Sequence, residues 1–194
     1  MLDVVDAVSY LHNHPKGPVI HGDLKGVTNH CALQNNILID LGEKRLIARV
    51  TDFGLAHIME STLQDGMTTT STAFQGNSRW MAFERMLPSE YGLRQAAAKS
   101  KASDVFELMR TFFQILTGRL PFHGKSDIEA MVAVVQRQNP ERPTDHCRDL
   151  DDLRWNLMLQ AWSDIREERP SLMEVQHDIA ESLRLERLLL VCDI

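Results

Sequence analysis

His21-Gly22-Asp23-Leu24-Lys25, followed downstream by Asp52-Phe53-Gly54, are the short motifs whose reading decides the fold of this chain. Alone, a His-x-Asp or an Asp-Phe-Gly triplet fits an ordinary turn carrying a solvated aspartate, so the surroundings must decide. Upstream, Leu2, Val5, Val8 and Leu11 recur at helical spacing, which predicts an amphipathic helix stopping near His14-Pro15. Val19-Ile20 then leads into the first motif. Between the motifs, Ile37-Leu38-Ile39 and Leu46-Ile47-Ala48-Arg49-Val50 are short and β-branched, with Leu41-Gly42-Glu43-Lys44 between them. That pattern predicts a small β-hairpin.

From Asp52 to Glu84 the periodicity is lost and Ser, Thr, Gly and Met accumulate, so the expectation is one long loop. The remainder reads as helix. Val105, Leu108, Met109, Phe112, Phe113 and Leu116 repeat at three and four, a wide apolar face ended by Gly118 and Pro121. This helix is expected to be the most buried. Ser126 with Glu129, and Ser171 with Glu174, form capping-box patterns at the start of two further helices. Leu150, Leu153, Leu157 and Ala161 mark another between them, and Leu185 to Leu190 continues the last.

Bulk properties narrow the class. A chain of 194 residues is read as one domain with a substantial core. Hydrophobic residues at 43% and charged residues at 25% are ordinary globular values. No apolar run approaches the ~20 residues that span a bilayer, so no membrane partner is expected. The formal charge of −6 disfavours a nucleic-acid partner, which would ask for a basic face. Cys31, Cys147 and Cys192 are odd in number and scattered, as free thiols of a reducing compartment are. With the acidic opening Met1-Leu2-Asp3-Val4-Val5-Asp6, they give an expectation of a cytoplasmic or nuclear address, not a secreted one. His12 with His14, and His30 with Cys31, lack a second ligand pair at zinc-site spacing.

Further landmarks follow in order. They are Gly76-Asn77-Ser78-Arg79-Trp80-Met81-Ala82-Phe83-Glu84, Ser103-Asp104-Val105-Phe106, Leu116-Thr117-Gly118-Arg119-Leu120-Pro121-Phe122, and Trp162 with Glu168-Arg169-Pro170. Together with the opening motifs they resemble the landmarks of the protein kinase superfamily: the H-R-D-L-K-x-x-N loop, D-F-G, G-T-x-R-W-M-A-P-E, S-D-V-W/Y, L-T-G-x-x-P-F and the late C-W…D-P-x-x-R-P. The resemblance runs from about residue 19 to 183 and is closest to the C-terminal lobe of a tyrosine-kinase-like serine/threonine kinase. It implies a mainly α fold with a small β-hairpin, a kinase domain over residues 1–184 and a C-terminal tail over 185–194. Only twenty residues precede His21, so the expectation is a chain without the small nucleotide-gripping lobe.

The resemblance also implies chemistry. Asp23 would take or orient the proton of the acceptor hydroxyl, and Lys25 would neutralise the transferred phosphoryl group. Asn36 and Asp52 would bind ATP through Mg2+, with Phe53 packing inward and Gly54 permitting the turn. Glu84 and Arg169 would form a buried ion pair, and Asp104 would accept backbone N–H bonds from the loop that holds Asp23. The partners implied are ATP and a protein substrate, or a docking partner if the lobe is a non-catalytic pseudokinase or fragment.

Departures from the pattern bear on activity. Ten residues, Gly26 through Asn35, separate Lys25 from Asn36 where the pattern has two, an insertion expected to displace a ligand. Asn36 is assigned as the metal asparagine because the strand follows it, although Asn29 lies closer to the usual offset. Gly22 replaces the arginine that would sense phosphate at Thr68, Thr69, Thr70, Ser71 or Thr72. Asn77, Phe83 and Met109 replace the usual threonine, proline and glycine. The expectation is an impaired enzyme.

Overall fold

The computed structural model describes residues 1–25, 36–43, 45–58, 78–144 and 149–192, with the side chains of 189–192 outside the description. Its centre is a helix, α4 (Lys101–Thr117), in which every side chain from Ser103 to Gln114 is buried. A helix apolar on most of its circumference must be wrapped on all sides, and the other elements do this. Ser100 caps its start reciprocally with Ser103, and Gly118, at φ 66°, ends it in the left-handed conformation that glycine adopts without a Cβ clash.

Around α4, the helix α1 (Leu2–His12) turns Val4, Val5 and Val8 inward. It stops at Asn13, next to the predicted boundary. Strands β2 (Ile37–Leu41) and β3 (Leu46–Val50) form the predicted antiparallel hairpin, with Ile37 opposite Val50 and Leu41 opposite Leu46. Asp3 ties α1 to this hairpin by accepting from the Ala48 amide and the Arg45 guanidinium.

The expected long loop after Asp52 is corrected in part. A 3-10 turn covers Phe53–Leu55, and β4 (His57–Ile58) pairs antiparallel with β1 (Val19–Ile20). Polar composition hid these elements because a two-residue strand leaves no periodicity to read. At the far end of the segment, α2 (Phe83–Met86) is a single fully buried turn. It is followed by a 3-10 turn at Pro88–Tyr91 and by α3 (Gln95–Ala98).

The last three long helices are α5 (Asp127–Val135), α6 (Asp152–Ala161) and α7 (Leu172–Cys192). Both predicted capping boxes are formed: Ser126 Oγ accepts from Glu129 N, Ser171 Oγ accepts from Glu174 N, and each glutamate accepts from its serine amide. Such caps contribute about 1 kcal/mol each. Helix α6 docks on α4 through Phe113, Trp155 and Trp162, whose rings lie 5.8–6.5 Å apart in tilted and edge-on pairs. Helix α7 continues through 185–192, the stretch read as a tail, without a break. No helix among the described residues is long and apolar enough to cross a membrane.

Candidate active site

The loop from His21 to Lys25 is held from beneath by α4. Asp104, fully buried, accepts from the His21 amide at 2.9 Å and from the Gly22 amide at 2.8 Å. These are charge-assisted bonds, each stronger than a neutral one. His12, at the end of α1, places Nε2 2.8 Å from the same carboxylate. About two turns further along α4, Thr111 Oγ1 donates to the Leu24 carbonyl at 3.1 Å. The His21 ring is buried, with Nε2 3.1 Å from the Thr51 carbonyl and Nδ1 accepting from the Asp23 amide at 3.3 Å. That pair of contacts assigns the proton to Nε2.

Asp23 therefore sits on a braced backbone. Its carboxylate is 8% exposed, and Oδ2 accepts from Lys25 Nζ at 3.2 Å and from Asn36 Nδ2 at 2.9 Å. Asn36 Nδ2 also lies 2.5 Å from the Asp23 carbonyl. The structure thus brings Asp23, Lys25 and Asn36 together across the insertion. Asn36 is fixed on its own side by the hairpin, since its carbonyl accepts from Thr51 N at 2.9 Å where β2 begins.

Asp52 lies where β3 ends, exposed, in a left-handed conformation with φ 62° and ψ 73°, its Oδ1 accepting from Gly54 N at 3.2 Å. The left-handed region is open to aspartate because its side chain bonds the local backbone. Phe53 is a correction. Expected to pack inward, it is 50% exposed and rests its ring 5.4 Å from that of His21. His21 and Leu24 are buried beneath the loop, and the Phe53 ring lies outside them at the surface.

The pair Glu84–Arg169 forms as expected. Arg169 donates through both terminal nitrogens to the two Glu84 oxygens at 2.7 and 2.8 Å, and both side chains are fully buried. The next residue makes a second buried pair that sequence reasoning missed: Arg85 donates to Glu107 on α4. Burial pushes the Glu107 carboxyl up to about 7, with Asp104 and Asp23 adding to the rise and Arg85 opposing it. A charged residue inside an apolar helical pattern is the one available signal for such a pair. Arg110 is another: it bonds the Arg79 carbonyl at 2.9 Å and lies over the rings of Phe83, Phe106 and Phe122. Phe83, standing where the pattern has proline, is thereby absorbed into the core beside Phe106, and Met109 is buried with it.

Gly22 has φ 68°, and Lys99 lies beside it, its Cδ 3.4 Å from where an added Cβ would stand. Lys99 Nζ donates to the Leu55 carbonyl at 3.3 Å. Partial burial lowers its pKa.

The donor set suits a hard, oxygen-seeking cation. Among the described residues no three His, Cys, Asp or Glu side chains cluster to chelate a metal. Magnesium asks for less, one or two protein carboxylates with phosphate oxygens and water completing the octahedron. Asp52 presents a carboxylate, and Asn36, its nitrogen committed to Asp23, has a carbonyl oxygen left to offer. Residues Asn29, His30, Cys31, Lys44, Thr68–Thr72, Gly76, Asn77 and Cys147 lie outside the described residues.

A mostly helical lobe, a charged loop braced by its central helix and an adjoining hairpin are the parts of a kinase C-terminal lobe. The family model "Protein kinase domain" matches residues 1–181, and the chain belongs to that family. It is similar to serine/threonine-protein kinase STY46 of Arabidopsis thaliana, 29% identical over 93% of this chain and 26% of the relative. A probable serine/threonine-protein kinase of Dictyostelium discoideum is 28% identical over 95% of this chain and 31% of its own length. Human serine/threonine-protein kinase TNNI3K is 29% identical over 94% of this chain and 19% of its own. The chain therefore spans less than a third of the length of these relatives.

Proposed function

We propose that the chain is the catalytic C-terminal lobe of a serine/threonine protein kinase, transferring the γ-phosphoryl group of ATP to a protein hydroxyl. The observation that carries this reading is the Asp23 carboxylate held between Lys25 Nζ and Asn36 Nδ2. In this role Asp23 accepts the proton of the acceptor serine or threonine as that oxygen bonds to the γ-phosphorus and the bond from phosphorus to the oxygen of the departing ADP breaks. Lys25, an ammonium beside that carboxylate, offsets charge on the phosphoryl oxygens in flight. Asn36 and Asp52 would hold Mg2+ through oxygen. Bound MgATP supplies the phosphoryl group and the metal's positive charge; the chain supplies position and counter-charge, the larger part of catalysis in this reaction class.

The 194 residues contain no G-x-G-x-x-G phosphate loop, so on their own they are proposed to turn over ATP poorly. A non-catalytic docking lobe is the second reading. Gly22 favours it, because it stands where the pattern places an arginine. A reducing intracellular compartment fits the scattered cysteines. The test is phosphate transfer from labelled MgATP to a serine- and threonine-containing protein. It compares the chain alone with the chain joined behind the nucleotide-binding lobe of an active serine/threonine kinase. Little transfer is expected from the first and clear transfer from the second, reduced about a hundredfold to ten-thousandfold by Asp23→Asn. Transfer indifferent to Asp23 refutes the assignment, and none in the joined protein favours the docking reading.

A further inference from the structure

Two side chains of α4 hold the loop that carries Asp23. Asp104 takes the amides of His21 and Gly22, and Thr111 takes the carbonyl of Leu24. They stand at i and i+7 on one helical face, and Glu107, at i+3, lies between them. Glu107 is 2% exposed and salt-bridged to Arg85 of α2, which is 4% exposed. Both line a recess of about 10 Å³, the size of a single water, whose other walls include Asp23, Leu24 and Lys25. Arg85 Nε, also buried, has no hydrogen-bond partner among the described residues.

A buried carboxylate is costly, and an apolar residue would fill this space at lower cost. Its retention directly beneath the loop needs a reason. We propose that Glu107 is a positioning residue for Asp23 and Lys25: anchored by Arg85, it completes the α4 face that fixes the loop and sets the charge beneath it. The proposal rests on the phosphoryl-transfer reading for its functional meaning, though its geometry does not. Glu107 holds Arg85, which lines the same recess as Asp23, Leu24 and Lys25. The charged groups around Glu107 are Asp104 and Arg110 on its own helix, Arg85 on α2, Asp23 and Lys25 on the loop, and Lys99 before α4. Because burial places its titration near neutrality, the loop should sense pH through it.

The test uses amide proton–nitrogen spectra of the full 194-residue chain from about pH 5 to about pH 9. In the parent, the amides of Asp23, Leu24 and Lys25 are expected to shift with a midpoint near 7, and in Glu107→Gln that component is lost. The difference between the two proteins is the signal. An identical transition in both proteins, or none in either, overturns the proposal. If Glu107→Gln does not fold, Arg85→Lys keeps a cation but loses the guanidinium fork, and the midpoint is expected to rise; an unmoved midpoint overturns the proposal equally. In the joined active form, Glu107→Gln is expected to lower kcat about tenfold with KM for ATP held within about twofold. An unchanged kcat speaks against positioning. If neither parent nor variant transfers phosphate while the amide difference is present, the phosphoryl-transfer reading fails and the coupling of Glu107 to the loop stands.

Discussion

Replacing Arg169 with Met removes one charge from a pair that no solvent reaches. The guanidinium donates to both Glu84 oxygens, to the Ser163 carbonyl at 2.9 Å and to the Ala102 carbonyl at 3.2 Å, and it lies 4.9 Å from the centre of the Phe106 ring. Methionine keeps most of the apolar stem, so the loss is chiefly of charge and hydrogen bonds. Glu84 is then left buried without its partner, at a cost of about 3–5 kcal/mol. In a chain of this size that is about 6–20 °C in Tm. Glu84→Gln strands less, because Arg169 retains two carbonyls and an aromatic face. The double variant should therefore fall short of the sum of the singles by about 2 kcal/mol. Urea unfolding of the four proteins at neutral pH measures the cycle, and added salt should change it little because the pair is buried. A cost below about 1 kcal/mol for Arg169→Met, the range of an exposed pair, would refute the reasoning. Strict additivity of the two singles would do the same.

The Glu107 carboxyl, pushed up to about 7 from 4.5 by burial, binds its proton in the folded chain at a pH where the unfolded chain has released it. Its contribution to stability is therefore full below about pH 4.5 and lost as pH rises through about 7, some 3 kcal/mol across the window. Denaturant midpoints of parent and Glu107→Gln should diverge in that direction, and a parent curve that climbs relative to the variant contradicts the sign. Gly22→Ala places a Cβ at φ 68° and 3.4 Å from Lys99 Cδ; a loss of about 1–2 kcal/mol in thermal unfolding is expected, and no loss would mean that the backbone there is relaxed. Asp104→Asn keeps one acceptor oxygen for groups that now use two, at 2.8 and 2.9 Å. Amide exchange at His21 and Gly22 should accelerate with a stability loss of about 2–3 kcal/mol, and unchanged protection would show that the loop is held by other means.

The pairs Asp104 with the loop amides and Glu84 with Arg169 were legible because each lies inside a motif whose spacing carries its meaning. The hairpin and both capping boxes were legible from local pattern alone. Arg85 with Glu107 was not, since its partners lie outside any motif and meet only once α2 is laid on α4. Arg110 and Lys99 share that property: one reads as a polar break in an apolar face, the other as an exposed cation ahead of a helix. Phe53 was misplaced for the complementary reason. Its motif suggests an inward ring, but the burial of a ring depends on the elements that cover it, which the triplet does not encode; here the ring lies against His21 at the surface.

The contact between Asp23 and Asn36 shows why eight extra residues can be tolerated at the centre of such a site. Asp23 takes its position from α4, through Asp104 and Thr111. Asn36 takes its position from the hairpin, through Thr51 and the pairing of Ile37 with Val50. Both sets of anchors lie among the described residues on either side of the segment, so the entropy of closing it is the cost to set against them. Lengthening a closed loop from two residues to ten costs about 1–2 kcal/mol by the logarithmic scaling of closure entropy. That is less than the two charge-assisted bonds from Asp104 contribute, taken at about 1.5–3 kcal/mol each. Insertion therefore weakens stability before it disturbs the geometry at Asp23, and sensitivity to mutation should concentrate in the α4 anchors instead of the inserted residues.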